Sequence, residues 1–570
     1  MDVCDNMVPA RARNSVWAIT LFRDKRKSSQ QNVLKKIVLG NDEIDENTNN
    51  YYKRQHPDKG FLSLLCSSKW TKLFLEKGFC GLIFGLIFST TVAYHLWLTS
   101  WFHGQVLNAL VLENNSIIFN FWRDPPVQPF ISIYIFNYTN HEEAMNGIEK
   151  PRVEEVGPYT FSERMERVNI KFHSNGTISY QEKRTYTFVR ELSVGDLQDR
   201  VITPNIPLIT AADFSRGSML TRAGLRMLAA STEARPLHDV TVHDFVWGLN
   251  DSFANKAAEA ALLLQKPVPS AFGILSTRNG ISQDVITIYS GTLGFDNFGI
   301  INRYNGRDRM DTWQSDCNSL VAGDGSLYPP YTLQSKKPIY IYTKEFCRRI
   351  PLIFEKNAEW TPALRYKNPS NVFSSPESNP DNSCFCIDSQ CAPEGLQNTK
   401  PCSYGAPVYI SFPHFLLADE KLHSDVLGLK PDPKIHSTHI DIHENLGFPI
   451  GGVTRVQMNI RVSNPAWFAT LRQLDDDIYL PICWLQCGVD KLPTDIYRIL
   501  FHATYSLRFL EIFLMWSSVL MLLLCMYLIW RRCRLLLSGT VFFSRLYNWL
   551  IKIITESVLK ISRLKEHTNL

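Results

Sequence analysis

The stretch Phe79 to Leu98, FCGLIFGLIFSTTVAYHLWL, runs for about 20 residues without a Lys, Arg, Asp or Glu, the length a helix needs to cross a hydrocarbon layer. A globular helix rarely goes this far without a polar face. Nearly eighty residues precede it and no convincing cleavage pattern follows, so it reads as a retained anchor and not as a signal peptide. Leu510 to Trp530, LEIFLMWSSVLMLLLCMYLIW, repeats the pattern with one charge, Glu511, at its edge. Lys69, Lys72 and Lys77 lie before the first run, and Arg531, Arg532 and Arg534 follow the second. Basic flanks stay in the cytoplasm, so both termini are expected there and the chain between the spans on the other side. The expected organisation is a mostly disordered tail (1–77), a span (78–98), an outer domain (99–508), a second span (509–530) and a cytoplasmic tail (531–570).

Composition supports this only when read by region. The 60 basic residues against 55 acidic ones lie close to balance, and the basic excess belongs to membrane flanks and tails, so no nucleic-acid partner is implied. Of thirteen cysteines, eight fall between the spans, in the compartment where disulfides persist. Cys317, Cys347, Cys384, Cys386, Cys391 and Cys402 form one cluster. Cys483 and Cys487 stand apart, open to an additional bridge or to a ligand. Asn114, Asn137, Asn175 and Asn250 begin sequons, all four in the outer region, and are expected to carry glycans.

Ile131 to Phe136 alternate like a strand, and Asn175-Gly176 between KFH and TISY is a hairpin signal. From Thr210 the period changes: ADFSRGSMLTRAGLRMLAA and DSFANKAAEAALLLQ place apolar residues three and four apart, a helical block at about 211–264. After Pro267 the β pattern returns in DVITIYSGTLG, PIYIYT, APVYISFPHF, THIDIH and VQMNIRV. The fold expected is therefore an α+β membrane protein: a large antiparallel β-rich ectodomain with a helical subdomain and two transmembrane helices. No G-x-S-x-G, HEXXH or P-loop is present, and no enzyme, cofactor or metal is assigned. His436, His439 and His443, near Asp441 and Glu444, read as a polar strand face. Leu550, Ile553, Ile554, Val558 and Ile561, interleaved with Lys552, Lys560, Arg563 and Lys565, form a basic amphipathic pattern suited to the inner leaflet or to a partner.

The runs FNFWRDPPV, EEVGPYTF, FVWGLNDSF, FSSPESNPDNSCFC and GAPVYISFPHFLLAD, in this order between two terminal spans, resemble the CD36 or class B scavenger receptor family over Phe79 to Trp530. The resemblance implies an irregular antiparallel core, a helical bundle at the membrane-distal apex and an internal hydrophobic tunnel. It also implies the disulfides Cys317–Cys384, Cys347–Cys402 and Cys386–Cys391, which cysteine counting leaves among fifteen connectivities. Arg216, Arg222, Arg226 and Arg235 are the basic residues expected to serve ligand docking at the apex. The Lys pair of some members is replaced here by Ser231-Thr232-Glu233.

The function implied is a receptor that binds lipids, lipoproteins or other lipid-bearing particles and passes fatty acid, sterol, carotenoid or phospholipid to the membrane. The alternative is a phagocytic, adhesion or sensory co-receptor for apoptotic or microbial surfaces or apolar odorants, signalling through its tails. The plasma membrane is the expected residence, with an endosomal or lysosomal membrane and a homo-oligomer left open.

Overall fold

The computed structural model describes residues 77–114, 116–248, 251–263, 273–358, 363–387, 390–463, 474, 477–489, 494–536, 551, 552 and 555. The N-terminal tail, the sequon at Asn250 and nearly all of the amphipathic C-terminal pattern lie outside these residues. Contacts divide the chain into two units. One takes in both chain ends as far as Gly85 and from Cys525, and the other runs from Leu86 to Leu524.

Helix α1 (Lys77–Leu98) forms the first span. The second runs through a short helix, a π-helical turn at His502–Ser506 and a thirty-residue helix ending at Leu536. Only 17% and 11% of their apolar windows are buried within the protein. A core helix would be covered, whereas these turn Phe84, Ile87, Phe509 and Leu520 outward, as lipid contact requires. In the first unit Phe79 and Ile83 pack against Ile529 and Cys533. In the second, Trp97 meets Trp516 edge-on at 5.5 Å and donates to the Met515 carbonyl at 3.1 Å.

The outer region is dominated by one sheet. Its first strands are β1 (Phe130–Tyr138), β2 (Val153–Phe172) and β3 (Thr177–Phe188), paired antiparallel in succession. The β2–β3 hairpin turns at Asn175-Gly176, where Gly176 has φ +71° and an added Cβ would meet Thr292 and Leu293 at 2.8 Å. Glycine is demanded twice there, by conformation and by space.

A separate hairpin, β4 (Arg200–Pro204) with β5 (Leu237–Thr241), runs through the helical region, with two helices between its strands and two after them. These are α2 (Ile206–Phe214), α3 (Met219–Ser231), α4 (Val242–Trp247) and α5 (Ser252–Leu263). Asn205, Ser218 and Thr241 cap α2, α3 and α4 by accepting an N–H in the first turn. The block therefore starts at 206, earlier than its apolar period suggests, and β5 interrupts it.

Strands β6 (Gly280–Ile281), β7 (Ile286–Tyr289) and β8 (Ile301–Tyr304) extend one flank of the sheet. The other flank holds β9 (Ile339–Thr343), β10 (Arg348–Asn357), β11 (Ala363–Lys367), β12 (Gln397–Asn398), β13 (Val408–Ser411) and β14 (His439–His443). The last strands, β15 (Pro449–Val462) and β16 (Ile478–Val489), close the centre, because β16 pairs with both β1 and β15. Strands nearly 350 residues apart in sequence thus become neighbours, and Ile131, Ile133, Ile135, Ile482 and Trp484 bury a common core with Leu208 and Ile209 of α2.

Candidate functional site: an alanine-faced cavity

α5 carries Ala254, Ala257, Ala258 and Ala261, spaced three and four apart, and the residues at that spacing share one helix face. Such a face approaches its neighbours without filling the space before it. All four line a cavity of about 1080 Å³, the upper end of the size range of ligand sites. α2 and α3 supply Ile206, Phe214, Leu225 and Leu228, while the sheet supplies Val408 and Ile410 of β13, Val456 and Met458 of β15 and Leu485 of β16. The lining residues Leu220 and Tyr404 are 85% and 56% exposed, so the cavity reaches solvent beside them.

Few charges enter this lining, and each is matched. Arg278 holds Glu345 at 2.7 Å. Burial would raise the Glu345 carboxyl, but Arg278 and Arg184 overrule it and keep it below the usual carboxylate range. Lys400 binds Asp213 at 2.7 Å, and Asp213 also takes Arg216 at 2.6 Å. Burial acts to raise Asp213 as well, and the two cations more than reverse it. An apolar chamber with compensated polar points suits a hydrophobic ligand with a small polar head.

The six clustered cysteines pair as Cys317–Cys384, Cys347–Cys402 and Cys386–Cys391. The second pair fastens the β9–β10 turn, which carries Glu345, to Cys402 in the cavity wall. Cys483 and Cys487 are four residues apart on β16, about 13 Å at the rise of a strand. That separation forbids a bridge between them. Burial pushes the Cys487 thiol up to about 12 and Cys483 higher still, which also disfavours the thiolate a metal would need.

The four arginines do not form one basic face. Arg216 is tied to Asp213, and Arg222 donates to the carbonyls of Ser215 and Arg216, so both brace the α2–α3 corner. Arg235, itself exposed, pairs with Glu142 at 3.2 Å, and Arg226 is exposed on α3. The histidines of the 436–443 stretch also separate. Asp441 is held by Arg365 through two contacts of 2.7 Å, His443 contacts Thr504 at 2.7 Å, and His436 packs elsewhere.

Among the sequons, Asn114 and Asn175 are exposed, whereas Asn137 lies in β1 with its Oδ1 accepting the Ile202 N–H at 2.8 Å. Glycopeptide mass spectrometry is expected to find sugar at Asn114 and Asn175 and none at Asn137. Asn137→Gln is expected to cost about 1–3 kcal/mol through the stranded Ile202 N–H, measured by thermal unfolding.

The alanine spacing was visible in the sequence, but nothing local distinguishes a face that packs from one that borders a void. Glu155, His414 and Trp484, which converge beside β1, lie too far apart in sequence for any motif to join them.

Comparison with known proteins agrees with this architecture. The CD36 family model matches residues 80–530. Lysosome membrane protein 2 of Mus musculus is 34% identical, the match covering 64% of this chain and 74% of that protein. Scavenger receptor class B member 1 of Mus musculus is 29% identical over 74% of this chain and 81% of the relative, and its Bos taurus counterpart is 30% identical over 72% and 79%. A family match running from the first span to the second, over an antiparallel sheet with an inserted helical block, makes this chain a member of the CD36 family.

Proposed function

We propose that this chain is a class B scavenger-type receptor that takes up lipids, or lipids carried by lipoproteins and other particles, and passes them through its cavity to the membrane. The cavity faced by the α5 alanines carries this reading, since its size and apolar lining fit an acyl chain or a fused-ring lipid. Transfer needs no covalent chemistry: a preformed apolar passage lowers the cost of removing a hydrophobic ligand from water at every point along its way. The ectodomain faces the extracellular or lumenal side, where the three disulfides persist and glycans are added. Both termini face the cytoplasm, and the plasma membrane is the proposed residence. Arg226, exposed on α3, is the arginine best placed to meet an anionic particle surface.

Cells expressing the full chain, given a labelled sterol and a labelled fatty acid on lipoprotein particles, are expected to accumulate label in their membranes above control cells. Particle binding without accumulation would instead indicate the adhesion or sensory reading.

A further inference from the structure

Outside the cavity, Glu155 of β2 meets two buried histidines. The ligand-bearing atoms of Glu155, His414 and His436 all lie within 4.8 Å of one another. His414 Nε2 contacts Glu155 Oε2 at 2.6 Å, and Trp484 Nε1 donates to the same oxygen at 2.7 Å. His436 stacks on His414 with ring centroids 4.6 Å apart and meets Trp484 edge-on, while Tyr134 of β1 stacks on the other ring contact, Trp484, at 3.8 Å.

The backbone decides which ring nitrogens hold protons. The Lys430 N–H donates to His414 Nδ1 and the Asp432 N–H to His436 Nδ1, each at 3.0 Å. A nitrogen that accepts a hydrogen bond carries no proton, so both neutral rings are protonated at Nε2. A cation at the centre would require the opposite arrangement, with Nε2 free to coordinate and Nδ1 donating to an acceptor. The cluster is therefore built to hold protons and not a metal.

Adding a proton to either ring would place an Nδ1–H against a backbone N–H, and that contact would be lost. Both amides belong to one strap. Its ends are secured independently, at Leu427 by a mutual backbone pair with Pro151 and Val153, and at Thr438 by contacts with Arg455. Between these ends the Lys430 N–H holds the strap to His414, while His436 belongs to the strap itself, accepts the Asp432 N–H within it and lays its ring against His414 and Trp484. His414 and Phe415 have φ of +53° and +54°, a conformation that such side chains keep only where the surroundings enforce it. The His414 N–H donates to Gln457 Oε1 at 2.5 Å.

We propose that Glu155, His414 and His436 form a proton-operated latch that holds the strap of residues 428–437 on the sheet at neutral pH and frees it on acidification. The groups facing His436 are His414, Glu155, Asp432 and Arg455. Burial, reinforced by His414, lowers His436 to about 4, although Glu155 and Asp432 pull the other way. Glu155 is held below the usual carboxylate range, its burial outweighed by its bonds to His414 and Trp484. A histidine lowered in the folded state stabilises the closed strap fully above its ordinary value near 6.5, and that contribution is lost as pH falls toward 4. Protonation of Glu155 acts in the same direction at the acid end.

Hydrogen exchange of the full chain in nanodiscs, corrected for intrinsic rates, tests this between pH 7.5 and 4.5. Peptides from 428–437 are expected to lose protection at least tenfold on acidification while peptides from β3 hold theirs. In His436→Gln and His414→Gln, strap protection is expected to stop responding to pH, at whatever level it then stands. Unchanged wild-type protection, loss shared by β3, or an undiminished pH response in both variants would overturn the latch. So would added zinc protecting the strap at pH 7.5, which would show a cation site instead.

Discussion

Ala258→Trp and Ala261→Phe, singly and together, are expected to reduce lipid accumulation at least tenfold while glycosylated protein still reaches the cell surface in normal amount. Both positions line the cavity on the alanine face of α5. Overpacking usually costs about 1–3 kcal/mol because a larger side chain must displace its neighbours. Here the added ring enters space already present, so the passage is blocked with little strain. Ala258→Ser, which adds one small atom, is expected to stay near wild type. Wild-type accumulation in the doubly blocked chain would show that lipids do not travel this way, and particle binding measured in the same cells separates transfer from docking.

The largest stability effect is expected at Asp324. Its carboxylate and the Arg167 guanidinium, 3.5 Å apart, are 2% and 1% exposed. Asp324 also accepts from Tyr180 at 2.5 Å and from the Ser326 N–H at 2.8 Å. Arg167 lies over the Trp122 ring at 4.6 Å and donates to the Trp122 carbonyl. Asp324→Ala would leave a buried cation without its counter-charge, a loss of about 3–5 kcal/mol. Replacing both partners, as in Arg167→Met with Asp324→Leu, removes the stranded charge and is expected to recover part of that loss. Denaturant unfolding of the two variants distinguishes these outcomes. A double variant no more stable than Asp324→Ala would mean that packing around Trp122, and not charge pairing, sets the cost.

Several parts of this molecule were legible residue by residue. The β2–β3 turn followed from Asn175-Gly176, because few other pairs tolerate that backbone. The six-cysteine cluster implied a stapled outer region, although its pairing came only with the family resemblance. The helical block was recognisable from its period, but its start at Ile206 was hidden by Pro207, which is accepted in a first turn and reads as a breaker in a scan. PHF in GAPVYISFPHF looked like the end of a strand. The strand stops at Ser411, and His414 turns left-handed to reach Glu155, 259 positions away.

The sequence by itself determined two membrane helices, an oxidising-side body of alternating strands and a helical insert, because these depend on local length, polarity and period. Only the tertiary structure decided that the alanine face of α5 borders a void, that three of the four arginines are occupied within the protein, and that Glu155 meets a pair of stacked histidines. The physical reason is that volume, ion pairing and proton placement depend on which distant surfaces meet. Here the decisive meeting is the pairing of β16 with β1, which no short stretch of this chain encodes.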